Sequence, residues 1–221
     1  ADINLVRIPE AVEFQTAAVL GCRFATSFRA VVDQGQLAEG QWLAVHGCGG
    51  VGLSAIMIGA ALGARVIAVD IDREKLDFAQ VAGAEFSINA RRTDDVISAV
   101  REISNGGAHV SVDALGSPET CFNSVSGLRK RGKHVQVGLL SPEKSNARVP
   151  TGLIVANELE ILGSHGIQAH RYPAILEMIT EGVLKPEKLI SRTVSIEEAA
   201  SEIVRMDQYS GSGISVITDF S

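Results

Sequence analysis

Gly47, Gly49 and Gly52 keep a G-x-G-x-x-G spacing, and an acid, Asp70, follows the last of them by 18 residues. Each glycine suits a different step in seating a phosphate. Gly47 allows a tight turn, Gly49 lets a phosphate approach the main chain with no Cβ in the way, and Gly52 lets a helix lie close on a strand. The N–H groups of Gly50 and Val51, at the helix start, then face the anion with the helix dipole behind them. Asp70, at the end of a second strand, is placed to accept hydrogen bonds from ribose hydroxyls. Its charge repels a 2′-phosphate and so favours NAD over NADP, while Arg73 and Lys75 pull the other way. The simpler alternative is a turn that merely packs. The order strand, glycines, helix, strand, acid favours the phosphate cradle.

Other chemistry-bearing residues are more isolated. Cys22, Cys48 and Cys121 form no C-x-x-C pair and no even-numbered framework, so each thiol stands alone and a reducing, cytoplasmic compartment fits. Cys48 lies inside the glycine turn and Cys121 has core-like helical spacing. His46 reads as a strand-end residue rather than a proton carrier, and His109, His134 and His170 flank strands or helix starts without suggesting catalysis. Met57, Met178 and Met206 read as gap-filling core residues. The one locally basic run, Leu128 to Lys133, reads as cations solvating a helix C-terminus that Gly132 stops, with polyanion binding as the alternative.

The elements that must carry these residues alternate from Gln41 onward: WLAVHG, GVGLSAIMIGAALGA, RVIAVD, DREKLDFAQVAGA, EFSIN. Short apolar runs alternating with helical spacing indicate β-α-β units and a parallel sheet buried on both faces. The pattern continues with TDDVISAVREISN, a helix read as opening on its Thr cap; HVSVDAL, a strand; PETCFNSVSGLRK, a helix starting at Pro; and the strand KHVQVGLL. After the irregular SPEKSNARVPTG comes one more strand, LEILGSH. The expectation is an α/β fold, a doubly wound six-stranded parallel sheet with helices on both faces. The segment before Gln41 has helical spacing without a βαβ unit. The last segment reads helix (RYPAILEMITEGVL), strand (LISRTVS), helix (IEEAASEIVRMDQ), strand (GISVITDF).

Composition is that of an ordinary globular chain: 221 residues, 46% apolar and 21% charged, enough for a large α/β core. A net charge of −6 with scattered Lys and Arg argues against nucleic-acid binding. Uncharged residues run from Trp42 to Ala64, long enough for a membrane span, but the glycines divide that window into strand, turn and helix, so no span is expected. The first residues show no signal pattern and no initiator Met, which suggests a piece of something longer.

With AAVLGCRFATSFRA (17–30), GQLAEGQWLAVHGCGGVGLSAIMIGAALGARVIAVD (35–70), AGAEFSINA (82–90), VDALGS (112–117) and VQVGLL (135–140) in this order, the chain resembles the zinc-containing alcohol dehydrogenases of the medium-chain dehydrogenase/reductase superfamily. The resemblance spans nearly the whole chain. It implies an NAD-binding Rossmann domain at residues 24–164, a remnant of the catalytic domain at 1–23, and a segment, 165–221, that returns to the catalytic domain. The rest of that domain, with the other zinc ligands and the proton relay, is not in this sequence.

By the same resemblance, Cys22 matches a ligand of the catalytic zinc, one of three protein ligands in the intact enzyme, and a site expected to be vestigial or empty here. Thr26 matches a threonine beside the nicotinamide, and Lys75 a lysine near the adenosine ribose, next to Asp70 and Ile71. Leu115 and the stretch Val137, Gly138, Leu139 fall where the family lines the nicotinamide pocket, with Ser164 and His165 reaching towards it. Arg23 departs from the small residue usual after the zinc cysteine. The implied reaction is hydride transfer between an alcohol and NAD, with a small alcohol, aldehyde or ketone as substrate and NAD and zinc as cofactors. The fragment alone is expected to bind NAD(H) weakly and to be inactive. Competing readings are a zinc-free quinone-type reductase, against which Cys22 and Asp70 speak, a non-catalytic NAD(H)-binding or assembly module, and a methyltransferase with a similar glycine turn. The last strand, Leu159 to His165, is implied to pair with its twin in a homo-oligomer, probed as an exposed apolar edge.

Overall fold

The structure, a computed structural model, describes residues 2–141, 148–207 and 211–220, and the side chains of residues 205–207 lie outside that description, Met206 among them. A kinked helical run opens the chain: α1 (Phe14–Val19), a π-helical turn Leu20–Phe24, α2 (Ala25–Phe28) and a second π-helical turn Arg29–Gln34. The sheet elements follow as β1 (Trp42–His46), α3 (Gly50–Ala61), β2 (Arg65–Asp70), α4 (Arg73–Val81), β3 (Phe86–Asn89), α5 (Val96–Ile103), β4 (Ala108–Asp113), α6 (Pro118–Ser126), β5 (Leu128–Gln136), α7 (Thr151–Asn157) and β6 (Glu160–Gly163). The chain continues through α8 (Tyr172–Thr180), β7 (Ile190–Ser195), α9 (Ile196–Asp207) and β8 (Ile214–Asp219).

The six-stranded sheet runs β3-β2-β1-β4-β5-β6, with every pairing parallel. The order reverses between β1 and β4, which opens a crevice at the carboxyl ends of those strands. The strand sequences explain the two-sided burial. Leu43 and Val45 pack into one apolar cluster, and Trp42 and Ala44 into the other; Val66 and Ala68 oppose Ile67 and Val69 in the same way. Period-two alternation thus feeds two cores from one continuous apolar run.

α3 is buried almost throughout because it packs on β1 and β2 on one side and on α2 and the turn Pro186–Leu189 on the other. That is why the uncharged window carries no polar face. At 12 residues, α3 is about 18 Å long, short of a bilayer core. No described helix is long and apolar enough to cross a membrane.

Two expectations need correction. The basic run Leu128–Lys133 is not the end of a helix: α6 stops at Ser126, Gly127 follows it, and the cations belong to the start of β5. Gly132 is required for space, since a Cβ there lies 2.9 Å from the Arg129 carbonyl and 3.1 Å from that of Ala108. The cap of α5 is Asp95 rather than Thr93, its carboxylate accepting the Ser98 N–H at 2.9 Å. The irregular stretch at 142–147 lies outside the described residues. The last strand is confirmed as an edge, over Glu160–Gly163.

The ends of the chain meet. β7 and β8 form a separate parallel pair, and β8 packs against α1. Arg171, just before α8, pairs with Asp33 of the second π-helical turn.

Candidate functional site

At the carboxyl end of β1 the chain enters the glycine turn. Gly47 has φ +95°, and its N–H bonds the Val69 carbonyl at 2.8 Å, extending the sheet by one step. A Cβ on Gly52 would lie 1.8 Å from the Gly47 carbonyl oxygen, so the start of α3 rests directly on the turn. Gly49, the residue before α3, has nothing within 4 Å of an added Cβ, which leaves the approach to the helix N-terminus open. The first N–H groups of α3 have no partner inside the helix and face that space with the positive end of its dipole.

Asp70, ending β2, is fastened to the same turn: Oδ2 accepts the Cys48 N–H at 2.7 Å and Oδ1 the Asp72 N–H at 2.9 Å. Cys48 is buried, and burial followed by the Asp70 charge pushes its thiol far up. Lys75 from α4 lines the same cleft as Cys48 and Gly49. Ile71, beside Asp70, is half exposed.

Sequence reasoning missed much of the cleft wall. Arg23 crosses the turn, so that a Cβ on Gly50 would meet Arg23 Cδ at 2.6 Å. Ser191, Arg192 and Gly213 from the β7–β8 pair close the far side of a cavity of about 580 Å³. Arg192 is paired with Glu202 at 2.8 Å. Arg23 and Lys75 have no acidic partner among the described residues, so the cleft in this acidic chain is locally cationic.

A second, polar device shapes the other half of the crevice. Asp113, fully buried at the end of β4, accepts the N–H groups of Leu115 and Gly116 at 3.0 and 2.9 Å and the Thr120 hydroxyl at 3.1 Å. Its other oxygen accepts from Gln136 Nε2 at 2.9 Å, and the same amide donates to the Gly138 carbonyl at 2.8 Å. Gln136 Oε1 lies 3.1 Å from His134 Nε2, and His134 Nδ1 lies 2.9 Å from the Ser124 hydroxyl. Burial lowers the His134 pKa. The turns at Leu115–Gly116 and Val137–Leu139 are thereby held against each other, a Cβ on Gly138 coming 2.2 Å from the Gly116 nitrogen. Leu115 and Leu139 nevertheless remain exposed, at 53% and 79%. Asp113 carries part of the sequence signal of Asp70, an acid closing a buried strand, and here a glycine, Gly116, follows it.

Thr26 and Ser164 are both buried with hydroxyls that find no hydrogen-bond partner among the described residues, as do the Ser126 hydroxyl and His46 Nε2. Unmet buried hydroxyls are uncommon without a function, and those of Thr26 and Ser164 fit a polar ligand. Ser164 follows β6 and extends it through an N–H bond to the Gln136 carbonyl at 2.9 Å. His165 is exposed, its carbonyl accepting from Arg29 at 3.1 Å.

Cys22 stands just after the kink at Gly21, exposed to solvent and close enough to Tyr172 that its charge adds to burial in raising the tyrosine pKa. The helical run is locked to α3 by Ser27, whose hydroxyl lies 2.7 Å from the Val51 carbonyl and 2.8 Å from that of Arg23. Among the described residues no group of three or more His, Cys, Asp or Glu gathers to hold a metal. One thiolate does not make a zinc site, and the chain's own residues do not fit that ion.

A glycine turn on a helix N-terminus, at the switch point of a 3-2-1-4-5-6 parallel sheet, defines a dinucleotide-binding α/β domain. Residues 50–181 match the zinc-binding dehydrogenase family, and the chain belongs to it. An NAD-dependent alcohol dehydrogenase of Sulfurisphaera tokodaii is 33% identical over 204 residues, 91% of this chain and 57% of that protein. The crystal structure of benzyl alcohol dehydrogenase from Acinetobacter calcoaceticus superposes with a TM-score of 0.90 at 25% identity, covering 99% of this chain and 60% of that one. An E. coli CFT073 dehydrogenase complexed with NADH superposes at 0.81 with 26% identity, over 91% and 58%. The chain therefore spans a little over half the length of these relatives.

Proposed function

We propose that this chain is the coenzyme-binding part of a zinc-dependent alcohol dehydrogenase that uses NAD, with a small alcohol, aldehyde or ketone as substrate of the whole protein. The observation that carries the reading is the pair formed by the open Gly49 position and the Asp70 carboxylate, which is tied to the adjacent Cys48 N–H. Bound NAD supplies a ring that accepts or returns hydride. The protein's contribution is placement. The N-terminus of α3, Arg23 and Lys75 meet the phosphates, and Asp70 meets the ribose. The exposed Leu115 and Leu139, on turns tied by Asp113 and Gln136, shield one side of the ring, while Thr26 and Ser164 offer hydroxyls. Val137, Gly138 and His165 border the same crevice. Cys22 offers one donor, too few among the described residues to hold a metal.

The boundaries follow this division, with 1–23 and 165–221 on the catalytic side and 24–164 as the coenzyme domain. The packing of β8 on α1, which joins the first and last of these segments, supports it. We also propose pairing of β6 with its twin in a homodimer, supported by the exposure of Ile161 at the sheet edge; light scattering that gives a monomer overturns this. A cytoplasmic location accords with three unpaired thiols.

Titration with NADH, following energy transfer from Trp42, tests the main reading. Saturable transfer is expected without alcohol-dependent NADH formation by the fragment. Absence of transfer at millimolar cofactor overturns coenzyme binding, and turnover by the purified fragment overturns its inactivity.

A further inference from the structure

We propose that the amino-terminal edge of the main sheet, opposite the coenzyme crevice, carries a second anion site, for a compact polyphosphate group. A cavity of about 670 Å³ lies there between the starts of β4, β5 and β6. The β4–β5 register passes from Ala108↔Leu128 to Val110↔Lys133, so Arg129, Lys130, Arg131 and Gly132 stand opposite His109 alone. A bulge of this kind re-aims side chains. Here it is held by Arg131 in the left-handed region, at φ +60°, and by Gly107, where a Cβ would fall 2.4 Å from the Arg129 nitrogen. Three consecutive cations are presented on a constrained backbone rather than on a loose loop.

The charges do not cancel. Lys133 is 3.6 Å from Glu160 and bonds Gln36 at 2.6 Å, which occupies both partners. Arg129, Lys130 and Arg131 have no carboxylate partner among the described residues, and Glu158 is the remaining acid in the cavity lining.

An independent observation asks for an acceptor at the same place. His109 Nδ1 lies 3.0 Å from the Trp42 N–H, and His109 Nε2 lies 2.8 Å from Arg129 Nη1. A neutral imidazole has one acceptor nitrogen, whereas both neighbours are donors. Burial, then the Arg129 charge, holds the His109 pKa down and the ring neutral. Whichever tautomer is present, one contact sets donor against donor. With Nδ1 accepting from Trp42, an anion oxygen seated beside Nε2–H and the guanidinium receives both hydrogens. Guanidinium groups take phosphate oxygens in pairs, and three unpaired cations suit a multiply charged, compact group over a single carboxylate.

Calorimetric titration of the chain with tripolyphosphate, ATP and adenosine, each with NADH saturating, tests the site. Tripolyphosphate and ATP are expected to bind with affinities within a few-fold of each other, weakening steeply with added salt, while adenosine gives no heat. The exposed double substitution R129Q/K130Q is expected to weaken tripolyphosphate at least tenfold and leave NADH affinity unchanged, and Gly49→Ala is expected to leave tripolyphosphate binding unchanged. The proposal is overturned by no heat from the unsubstituted chain at millimolar tripolyphosphate. It is equally overturned by loss of binding when NADH saturates, which assigns the anion to the glycine turn, or by unchanged binding in the folded double variant.

Discussion

The Asp70 carboxylate accepts the Cys48 main-chain N–H at 2.7 Å, so the residue proposed to meet the ribose is also the clamp on the glycine turn. Its second oxygen holds Asp72, the cap of α4. Asp70→Ala leaves two N–H groups without their acceptor and is expected to cost about 1–3 kcal/mol in chemical denaturation, besides weakening NADH at least tenfold. Asp70→Asn keeps one acceptor oxygen and should lose less stability but a similar share of affinity. Wild-type stability in the alanine variant contradicts the clamp.

Gly49 and Gly52 separate architecture from binding. Gly49 sits at φ −78°, ψ −171°, open to any residue, with free space around its Cβ position. Gly49→Ala should therefore stay within about 1 kcal/mol of the parent while losing at least tenfold in NADH affinity. Gly52→Ala drives a methyl into the Gly47 carbonyl and should cost about 3 kcal/mol or leave no soluble protein. Equal thermal stability of the two variants would contradict this division.

Arg23 crosses the glycine turn and lines the cleft beside it without an acidic partner among the described residues. Arg23→Ala should weaken NADH about tenfold at low ionic strength, with the difference shrinking in salt, and Arg23→Lys should recover part of it. Tighter binding by the alanine variant would instead show that the side chain blocks the turn.

His46 is fully buried with its pKa lowered to about 4 from 6.5, by burial first, with Asp113 opposing and His134 adding to the shift. The unfolded chain takes up this proton near pH 6.5 and the folded chain only near 4. Stability is thus complete above that upper value and lost as pH falls through the window, by about 3 kcal/mol from this residue. Denaturation at pH 7, 5.5 and 4 should show the slope, and His46→Gln should reduce it, leaving the parts due to His134 and His109. A flat profile would contradict the shift.

The three thiols differ in access. Cys22 is exposed, whereas Cys48 and Cys121 are buried with raised pKa values, burial leading in both. Iodoacetamide at pH 8 should modify Cys22 alone in the native chain and all three in denaturant, as read by mass spectrometry of peptides. Modification of Cys48 at a comparable rate would show that the glycine turn opens.

Local pattern carried the sheet, its six strands, the glycine turn and Asp70, because a strand buried on both faces and a glycine turn before a helix are set by neighbours in sequence. The Thr93 cap went astray by two residues because three consecutive candidates, Thr93, Asp94 and Asp95, offer the same chemistry, and only the carboxylate of Asp95 reaches the Ser98 N–H. The basic run was misplaced because a helix end and a bulged strand share the same cations; the register with β4 distinguishes them.

What the sequence determined by itself was therefore the class of fold, the glycine turn before α3 and the family, each resting on short-range order along the chain. Tertiary structure alone decided that Arg23 crosses Gly50, that Asp113 and Gln136 tie the two crevice turns together, and that the β7–β8 pair walls the cleft beside the glycine turn. These are contacts between residues far apart in the chain; the Asp113–Gln136 tie follows from the crossover that returns β5 beside β4, the others from elements outside the main sheet, and no spacing within one segment encodes them.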